Sequence, residues 1–397
     1  MNVLVLNAGS SSLRYQFINM DTKEVVAKGL CERVGTDTGV HNYELGGVEM
    51  VDELALPSHR EAVAAVLAAL TNTSYGVVGS LDEIHAIGHR VVHGGDYFTQ
   101  SSIITDEVVQ RIEECVALAP LHNPAALAGI RACLELMPNT PQVAVFDTAF
   151  HQTMPAKAYR YPLPNKFYEE FKIRRYGFHG TSHRYVAQRA ADFLDVPLED
   201  LRIIVCHLGN GCSVAAINGG KSVDTSMGFT PLDGLMMGTR TGSIDPAILL
   251  YLIEDKGMSA SEVNTIVNKK SGLLGISGVS NDLRDVIALA EGGDENAQLA
   301  MDMYAYSIRR YLGFCTFSMG KVDAIVFTAG VGENASLMRK MILEGLEEQG
   351  IILDDERNAL RGKDRYISAD DSKVKVLVIP TNEELMIAGD VQELIEG

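Results

Sequence analysis

The sequence predicts an α/β protein built from two related domains, and three observations support this. Residues 203–219 have the order strand, glycine-containing turn, strand, which is the pattern of a β-hairpin. Residues 3–19 align with this segment without a gap, so that Asn7 falls on His207. Strands and helices alternate along the 397 residues, as in α/β proteins. A repeat at such wide separation indicates duplicated domains.

The aligned hairpins have small residues at their tips, where backbone N–H groups can approach an anion closely. Two such hairpins could hold a polyphosphate; the alternative is a pair of unrelated hairpins. The gapless alignment superimposes four further pairs: Gly9 on Gly209, Ser10 on Asn210, Ser12 on Cys212 and Phe17 on Ile217.

The remaining elements of the first half follow from hydrophobic patterns and capping residues. Ser58 and Glu61 form a capping box that predicts a helix start, and Pro124 predicts another. Residues 153–166 contain three prolines and are the predicted domain boundary. The patterns predict strands at residues 25–32, 42–49, 84–92 and 143–146, and helices at 60–70, 106–118 and 124–137.

In the second half, Thr181 or Ser182 is expected to cap a helix that precedes the second hairpin. A glycine-rich loop at 227–243 leads into helices over 246–318, one of them opened by a capping box from Ser259 to Glu262. The patterns also predict strands at 324–328 and 374–379, a turn at 330–334, and a terminal helix opened by a capping box at 381–384.

Composition narrows the class of protein. The formal net charge is −18, which argues against a nucleic-acid or anionic-membrane partner. The six cysteines show no paired spacing and most lie in apolar runs, so we expect buried free thiols and a reducing, cytoplasmic location. No apolar run approaches the ~20 residues of a membrane span, and the first residues do not resemble a signal peptide.

Polar residues stand at the ends of predicted strands, where α/β sheets bind their ligands. Asn7, Asp147 and His207 occupy such positions. Asp147 and Glu383 are the best candidates for holding Mg²⁺, which usually takes one or two carboxylates and substrate phosphates. The alternative for each carboxylate is a helix-capping role.

Two arginines, Arg90 and Arg240, lie in glycine-rich loops and suit carboxylate or phosphate recognition; the alternative is a surface ion pair. His179 and His183 are four residues apart, but no third ligand nearby supports zinc. We expect His89, His93 and His122 to have structural or supporting roles rather than to be metal ligands. Residues 330–334 suit a nucleotide, or a simple tight turn. Together these features predict phosphoryl transfer from a nucleotide to a small anionic acceptor.

Six motifs make the chain similar to the acetate kinase family over residues 2 to about 390. They are NAGSSS at 7–12, GHRVVHGG at 88–95, FDTAFH at 146–151, YGFHGTSH at 176–183, HLGNG at 207–211 and GVGEN at 330–334. The resemblance implies duplicated actin-like (ribonuclease H-like) βββαβαβα domains with a cleft between them. It implies a first domain of residues 1–150 plus 382–397 and a second, nucleotide-binding domain of 151–381.

The resemblance also implies roles for individual residues. Asn7 and Glu383 would contact Mg²⁺ or Mn²⁺, Arg90 would hold the acetate carboxylate, and Asp147 is the family's catalytic acid. His179 and Arg240 would stabilise the transferring phosphoryl group. The methyl group would lie against Val92, Leu121, Phe178 and Pro231, with His122 nearby. ATP would contact Arg14, His207, Leu208, Gly209, Asn210, Gly211, Asp282, Leu283, Arg284, Gly330, Val331, Gly332, Glu333 and Asn334.

Two points refine these expectations. The family usually has Lys at position 14, whereas this chain has Arg14, so we expect phosphate contact with altered geometry. Carboxylic acids with a pKa of about 4–5 are already ionised at pH 7, so Asp147 is better suited to positioning a metal or water than to removing a proton.

The resemblance implies reversible transfer of the ATP γ-phosphoryl group to acetate, a role in acetyl-CoA biosynthesis, and a homodimer formed through the terminal helix or residues 294–319. The closest alternative is a propionate kinase, with Val92 as the residue that limits acceptor size. An alternative of another class is an ATP-gated, chaperone-like binding module. A pyrophosphate donor is disfavoured, because the small residues at 330–332 leave room for adenine and ribose.

Overall fold

The computed structural model describes all 397 residues, which divide into two compact units: Met1–Phe150 with Asn382–Gly397, and His151–Thr381. The strands are β1 (Asn2–Gly9), β2 (Ser12–Asn19), β3 (Glu24–Glu32), β4 (Thr36–Leu45), β5 (Val48–Leu56), β6 (Ala86–Val91), β7 (Ser102–Ile103), β8 (Gln142–Phe146), β9 (Arg202–Leu208), β10 (Cys212–Asn218), β11 (Lys221–Thr225), β12 (Ala324–Thr328), β13 (Arg365–Tyr366) and β14 (Lys375–Val378).

The helices are α1 (His59–Leu70), α2 (Asp106–Glu114), α3 (Asn123–Leu136), α4 (Ala156–Tyr159), α5 (Asn165–Phe171), α6 (Gly180–Leu194), α7 (Ala247–Glu254), α8 (Ala260–Lys269), α9 (Gly272–Ser277), α10 (Leu283–Glu291), α11 (Glu295–Met319), α12 (Ala329–Asn334), α13 (Ser336–Leu343), α14 (Asp355–Ala359) and α15 (Glu383–Glu396). None of these helices is long and apolar enough to span a membrane.

The first unit is an eight-stranded sheet in the order β5-β4-β3-β2-β1-β6-β8-β7. Alternate side chains of a strand point to opposite faces of its sheet, and both faces of β1 are buried. Leu4 and Leu6 pack in the cluster that includes α1 and α3 residues, whereas Val3 and Val5 pack in the cluster with α15. β1, β6 and β8 are parallel, so their carboxyl ends lie at one edge.

The second unit is a six-stranded sheet in the order β11-β10-β9-β12-β14-β13. β9, β12 and β14 are parallel, and β10 and β11 extend the sheet antiparallel to them. The run β3-β2-β1-β6-β8 in the first sheet and the run β11-β10-β9-β12-β14 in the second therefore have the same arrangement. In each run, three strands pair antiparallel, and two further strands lie parallel to the first of the three in chain order. This shared order confirms the prediction of duplicated α/β domains.

The gapless alignment of the two hairpins is wrong by one residue beyond the turn. In the first hairpin, two residues separate β1 from β2 and Asn7 lies opposite Arg14. In the second, three residues separate β9 from β10 and His207 lies opposite Ser213. The pairs Ser12 with Cys212 and Phe17 with Ile217 therefore do not occupy equivalent positions. Six residues lie between Asn7 and its partner but only five between His207 and its partner, and this shorter connection shifts the register by one.

Several predicted element boundaries also change. Residues 42–49 are not one strand but the end of β4, a turn and the start of β5, because Gly46 and Gly47 adopt positive φ values of 57° and 84°. The start of α6 is capped by neither Thr181 nor Ser182, since His179 occupies that position. The cap of α15 is Asn382, not Thr381, because the Asn382 side chain accepts from Leu385 N.

Other sequence predictions are confirmed. Ser259 and Glu262 form a complete capping box at α8. Ser58 caps α1 as predicted, but not as a capping box: its side chain accepts from Arg60 N, and its hydroxyl donates to Glu61 Oε2. All six cysteines are free and buried. One prediction differs: the segment at 330–334 is not a tight turn but lies within a short helix, α12, which follows β12 directly.

Candidate active site

In the first unit, Arg90 lies among three polar side chains from three other elements. Its Nε and Nη2 donate to Asp147 Oδ1 and Oδ2 at 3.2 and 2.5 Å, and its Nη1 lies 3.5 Å from Asn7 Oδ1. Glu383 Oε2 lies 3.7 Å from Arg90 Nε. Asn7 and Arg90 belong to β1 and β6, Asp147 follows β8, and Glu383 opens α15. The parallel strand ends thus bring together four residues that the sequence singled out.

This group has two carboxylates for one guanidinium. Burial raises the pKa of Asp147, against the lowering effect of Arg90. Burial also raises the pKa of Glu383 to about 7. The charge of Arg90 lowers this pKa, and the charges of Asp147 and Glu384 raise it further. The excess negative charge and the oxygen-only donors suit a hard divalent cation such as Mg²⁺. The residues present therefore fit the metal that the sequence predicts.

The remaining candidates of the first unit differ in exposure. Val92 directly follows β6 and is partly buried, while Leu121 is 70% exposed. His122 precedes α3, and its charge lowers the pKa of Asp147. Arg14 is exposed on β2, in a surface depression that also contains Lys28 and Glu44. The Arg14 side chain forms no hydrogen bond or ion pair in this unit, and its contact with the ATP phosphates stays a prediction.

In the second unit, a group of buried and half-buried histidines lies around the second hairpin. The rings of His179 and His207 stack at a centroid distance of 4.1 Å. His207 Nδ1 lies 2.8 Å from Ser182 Oγ, and Ser182 Oγ lies 2.8 Å from Thr381 Oγ1. His179 has φ of +56°, a conformation that costs about 1–3 kcal/mol for a non-glycine residue and is often found at functional sites.

Arg240 and His179 both face the glycine turn. A Cβ atom added to Gly211 would lie 3.4 Å from Arg240 Nη1 and 3.7 Å from His179 Nε2. Arg240 Nη1 donates to Pro231 O at 3.2 Å, and no carboxylate pairs with it. Burial lowers the pKa of Arg240, yet a guanidinium keeps its charge. An unpaired, part-buried cation beside a histidine suits an anion such as a phosphoryl group.

The turn between β9 and β10 is held in one conformation. Gly209 N donates to Gly211 O at 3.1 Å, and Gly238 N donates to Asn210 O at 3.1 Å. Asn281 Nδ2 donates to Asn210 Oδ1, also at 3.1 Å. The turn is therefore fixed at its tip, which favours a preorganised phosphate site.

A cavity of about 700 Å³ lies beside this turn. Three of the predicted nucleotide segments line it, through Gly209, Asn210, Asp282, Leu283, Arg284, Gly330, Val331 and Asn334. The sequence reasoning missed six other lining residues: Gly238, Leu273, Asn281, Ile287, Ala335 and Arg361. Two of these six residues could have been predicted from the sequence, because Asn281 directly precedes Asp282 and Ile287 lies one helical turn after Leu283.

Six predicted nucleotide residues do not line the cavity: Arg14, His207, Leu208, Gly211, Gly332 and Glu333. His207 and Leu208 are buried in β9, and Gly332 is buried in α12. Glu333 turns back, and its Oε1 accepts from Ala329 N at 2.9 Å and Thr381 N at 3.2 Å. Its carboxylate thus stabilises the start of α12, where Ala329 has φ of +65°. Phe178 is buried, and its carbonyl oxygen accepts from His151 Nε2 at 2.9 Å.

Comparisons with known proteins agree on one family. The sequence model of the acetokinase family matches residues 2–389. A relative from Thermoanaerobacter pseudethanolicus named acetate kinase is 55% identical over 399 residues, covering 100% of both chains. Another acetate kinase, from Carboxydothermus hydrogenoformans, is 57% identical and covers 100% of this chain and 99% of its own.

Solved structures give the same result. The crystal structure of Porphyromonas gingivalis acetate kinase has a TM-score of 0.96 and 47% identity, covering 99% of each chain. A propionate kinase from Francisella tularensis has a TM-score of 0.91 and 43% identity, covering 98% of each chain. Both neighbours share the mixed α/β architecture with two sheets.

Proposed function

The chain belongs to the acetokinase family and is a phosphotransferase with a carboxylate acceptor, and we propose that it transfers the ATP γ-phosphoryl group reversibly to acetate by direct in-line attack. The observation that carries this proposal is Arg240, a part-buried cation without a carboxylate partner beside the fixed glycine turn. Such a cation neutralises charge on a transferring phosphoryl group. The family assignment leaves no support for a chaperone-like module.

The groups of each unit have separate tasks in this proposal. The second unit binds ATP in the cavity beside Gly209 and Asn210, with the adenosine against Leu273 and Ile287. His179 and Arg240 contact the transferring phosphoryl oxygens. In the first unit, Arg90 Nη1 donates to the acetate carboxylate, because Nε and Nη2 are already engaged by Asp147. Asp147 fixes the Arg90 side chain and needs no proton-accepting role, since acetate is ionised at neutral pH.

Mg²⁺, or Mn²⁺ in its place, is the proposed metal. Glu383 and Asn7 would hold it together with substrate phosphates, and Asp147 would orient its bound water. The support is the oxygen donor set around Arg90 and the raised pKa of Glu383, which reflects burial first and the nearby Asp147 and Glu384 carboxylates second. When bound, the metal would neutralise phosphate charge.

Acetate is the preferred acceptor in this proposal, and propionate is the specific alternative. Both an acetate kinase and a propionate kinase are among the similar structures. Val92 is the residue expected to limit acceptor size. A matrix of acids (formate, acetate, propionate, butyrate) and donors (ATP, GTP, pyrophosphate), with nucleotide or phosphate release as readout, tests the proposal. The highest kcat/KM should belong to acetate with ATP; a preference for propionate would assign the alternative.

We also propose a homodimer in the cytoplasm, formed through α11. Its exposed apolar side chains follow a helical repeat along one face: Leu299, Met303, Tyr306, Phe314 and Phe317, from 40% to 88% exposed. α15 is less suited, because Ile387, Ala388 and Val391 already pack within the first unit. Free buried thiols support the location, and acetyl phosphate formation supports a place in acetyl-CoA biosynthesis.

A further inference from the structure

One hydroxyl group links the half-buried His179 to the buried His183 in the second unit. Ser213 Oγ lies 2.9 Å from His179 Nδ1 and 2.7 Å from His183 Nε2. All three belong to the network around the second hairpin, Ser213 on β10 and His183 on α6. A serine hydroxyl has one proton, so it can donate to only one of the two rings. The other ring must donate to the serine oxygen.

The surroundings of His183 decide which ring donates. Its Nδ1 is buried and has no hydrogen-bond partner. A proton on Nδ1 would be an N–H buried without an acceptor, which folded proteins rarely tolerate. Burial, together with the nearby His151 and His207, lowers the pKa of His183 well below its ordinary value, so the ring carries a single proton. That proton is therefore on Nε2, where Ser213 Oγ accepts it.

The direction of the remaining bonds follows. Ser213 is buried and its hydroxyl bonds only to these two rings, so with its oxygen accepting from His183 its own proton must go to His179 Nδ1. A ring whose Nδ1 accepts a hydrogen bond has its proton on Nε2. His179 Nε2 is on the side of the ring that faces Gly211, where Arg240 Nη1 also lies. Phosphoryl oxygens accept hydrogen bonds, so an Nε2–H is the form of His179 that can bind them.

We propose that Ser213 and His183 are positioning residues that keep His179 as a neutral imidazole with its proton on Nε2. The catalytic consequence rests on the proposed role of His179 at the phosphoryl group, whereas the protonation pattern rests on the hydrogen bonds alone. An imidazolium at position 179 would donate from Nδ1 to Ser213, and Ser213 would then donate to His183 Nε2. The proton of His183 would be on Nδ1, where it has no acceptor.

Substitution of Ser213 by alanine tests the consequence for catalysis. We expect Ser213→Ala to lower kcat by about tenfold, less than the roughly 100-fold loss caused by removing a preorganised donor outright. KM for ATP and acetate should change by less than about twofold, since only transition-state contacts weaken. The matched control is Ser222→Ala, because Ser222 Oγ makes the same kind of buried bond, at 2.8 Å, to His151 Nδ1. Equal kcat in the two variants would overturn the proposal.

The protonation pattern has its own test in the wild-type enzyme. Nitrogen NMR of the full chain labelled at histidine distinguishes the two tautomers, and His179→Gln identifies the signal of residue 179. We expect an Nε2–H form in the wild type, a tautomer mixture in Ser213→Ala, and the wild-type form in His183→Gln, whose amide can still donate to Ser213. A wild-type His179 protonated on Nδ1 would overturn the proposal even if Ser213→Ala does not fold.

The two tests separate this proposal from the role on which it rests. If His179→Gln keeps wild-type kcat, His179 has no part in phosphoryl transfer, and the catalytic half of the proposal falls with it. The NMR result would still report the protonation pattern. If His179→Gln loses activity while the ring is protonated on Nδ1, the role stands and the positioning chain does not.

Discussion

The Arg90 guanidinium donates two hydrogen bonds to the Asp147 carboxylate, from Nε at 3.2 Å and from Nη2 at 2.5 Å. The two residues are 57 positions apart in the chain. Parallel pairing of β6 with β8 brings them together. Nη1 is left on the side of Asn7, which is where an acceptor carboxylate would bind in the proposed function.

Arg90→Lys should raise KM for acetate by about 10- to 100-fold, because an ammonium cannot hold Asp147 and a substrate carboxylate in the same fork. The magnitude corresponds to one lost charge-assisted hydrogen bond of about 1.5–3 kcal/mol. KM for ATP should change little. Steady-state kinetics at varied acetate concentration measure the effect. Arg111→Lys is the control, because Arg111 forms an exposed ion pair with Glu114. An unchanged KM for acetate would remove Arg90 from acceptor binding.

Glu383 gives the metal-free enzyme a pH-dependent stability. Burial raises its pKa from 4.5 to about 7. Because the folded chain holds this proton more tightly than the unfolded chain, the contribution is complete below pH 4.5 and is lost as the pH rises through about 7. We therefore expect the free energy of unfolding measured in EDTA to fall over this window, and to fall less in Glu383→Gln. Identical pH profiles would contradict the raised pKa.

Arg240→Ala should reduce kcat by about 100-fold or more while leaving KM for ATP within a few-fold. The physical reason is that its charge is needed most when the phosphoryl group is in transit. Arg284→Ala provides the contrast, because Arg284 lines the nucleotide cavity and its side chain is 90% exposed. That variant should affect KM for ATP more than kcat. A wild-type kcat in Arg240→Ala would exclude it from the mechanism.

Val92→Ala should shift the ratio of kcat/KM for propionate and acetate toward propionate. One methylene in an apolar pocket is worth about 1–3 kcal/mol, or roughly 10- to 200-fold. Rates with the two acids under the same conditions give the ratio. Val51→Ala on the exposed face of β5 is a valine control remote in sequence from every candidate site residue. No change in the ratio would mean that another residue limits acceptor size.

The sequence predicted those features that depend on local patterns. Asp147 follows the apolar run 143–146, so its place at a strand end could be read directly. The alternation of strands and helices and the two glycine hairpins predicted the duplicated sheet. Buried free cysteines followed from their apolar neighbours.

Features that depend on side-chain direction or on distant partners could not be predicted. Turn length set the hairpin register, and the sequence alignment did not reveal that the second hairpin has one residue fewer between equivalent paired positions. Glu333 lies in a nucleotide-like segment, yet its carboxylate caps its own helix. Asn382 and Thr381 are both suitable caps in sequence, and Thr381 is instead bonded to Ser182, 199 residues away.

The most direct test of the central claim is trapping of the product with hydroxylamine, which converts an acyl phosphate into a hydroxamate. Purified enzyme with Mg²⁺, ATP and acetate should form acetyl hydroxamate in step with ADP, and Arg240→Ala should form almost none. ADP release without acetate-dependent hydroxamate would contradict transfer of the phosphoryl group to a carboxylate.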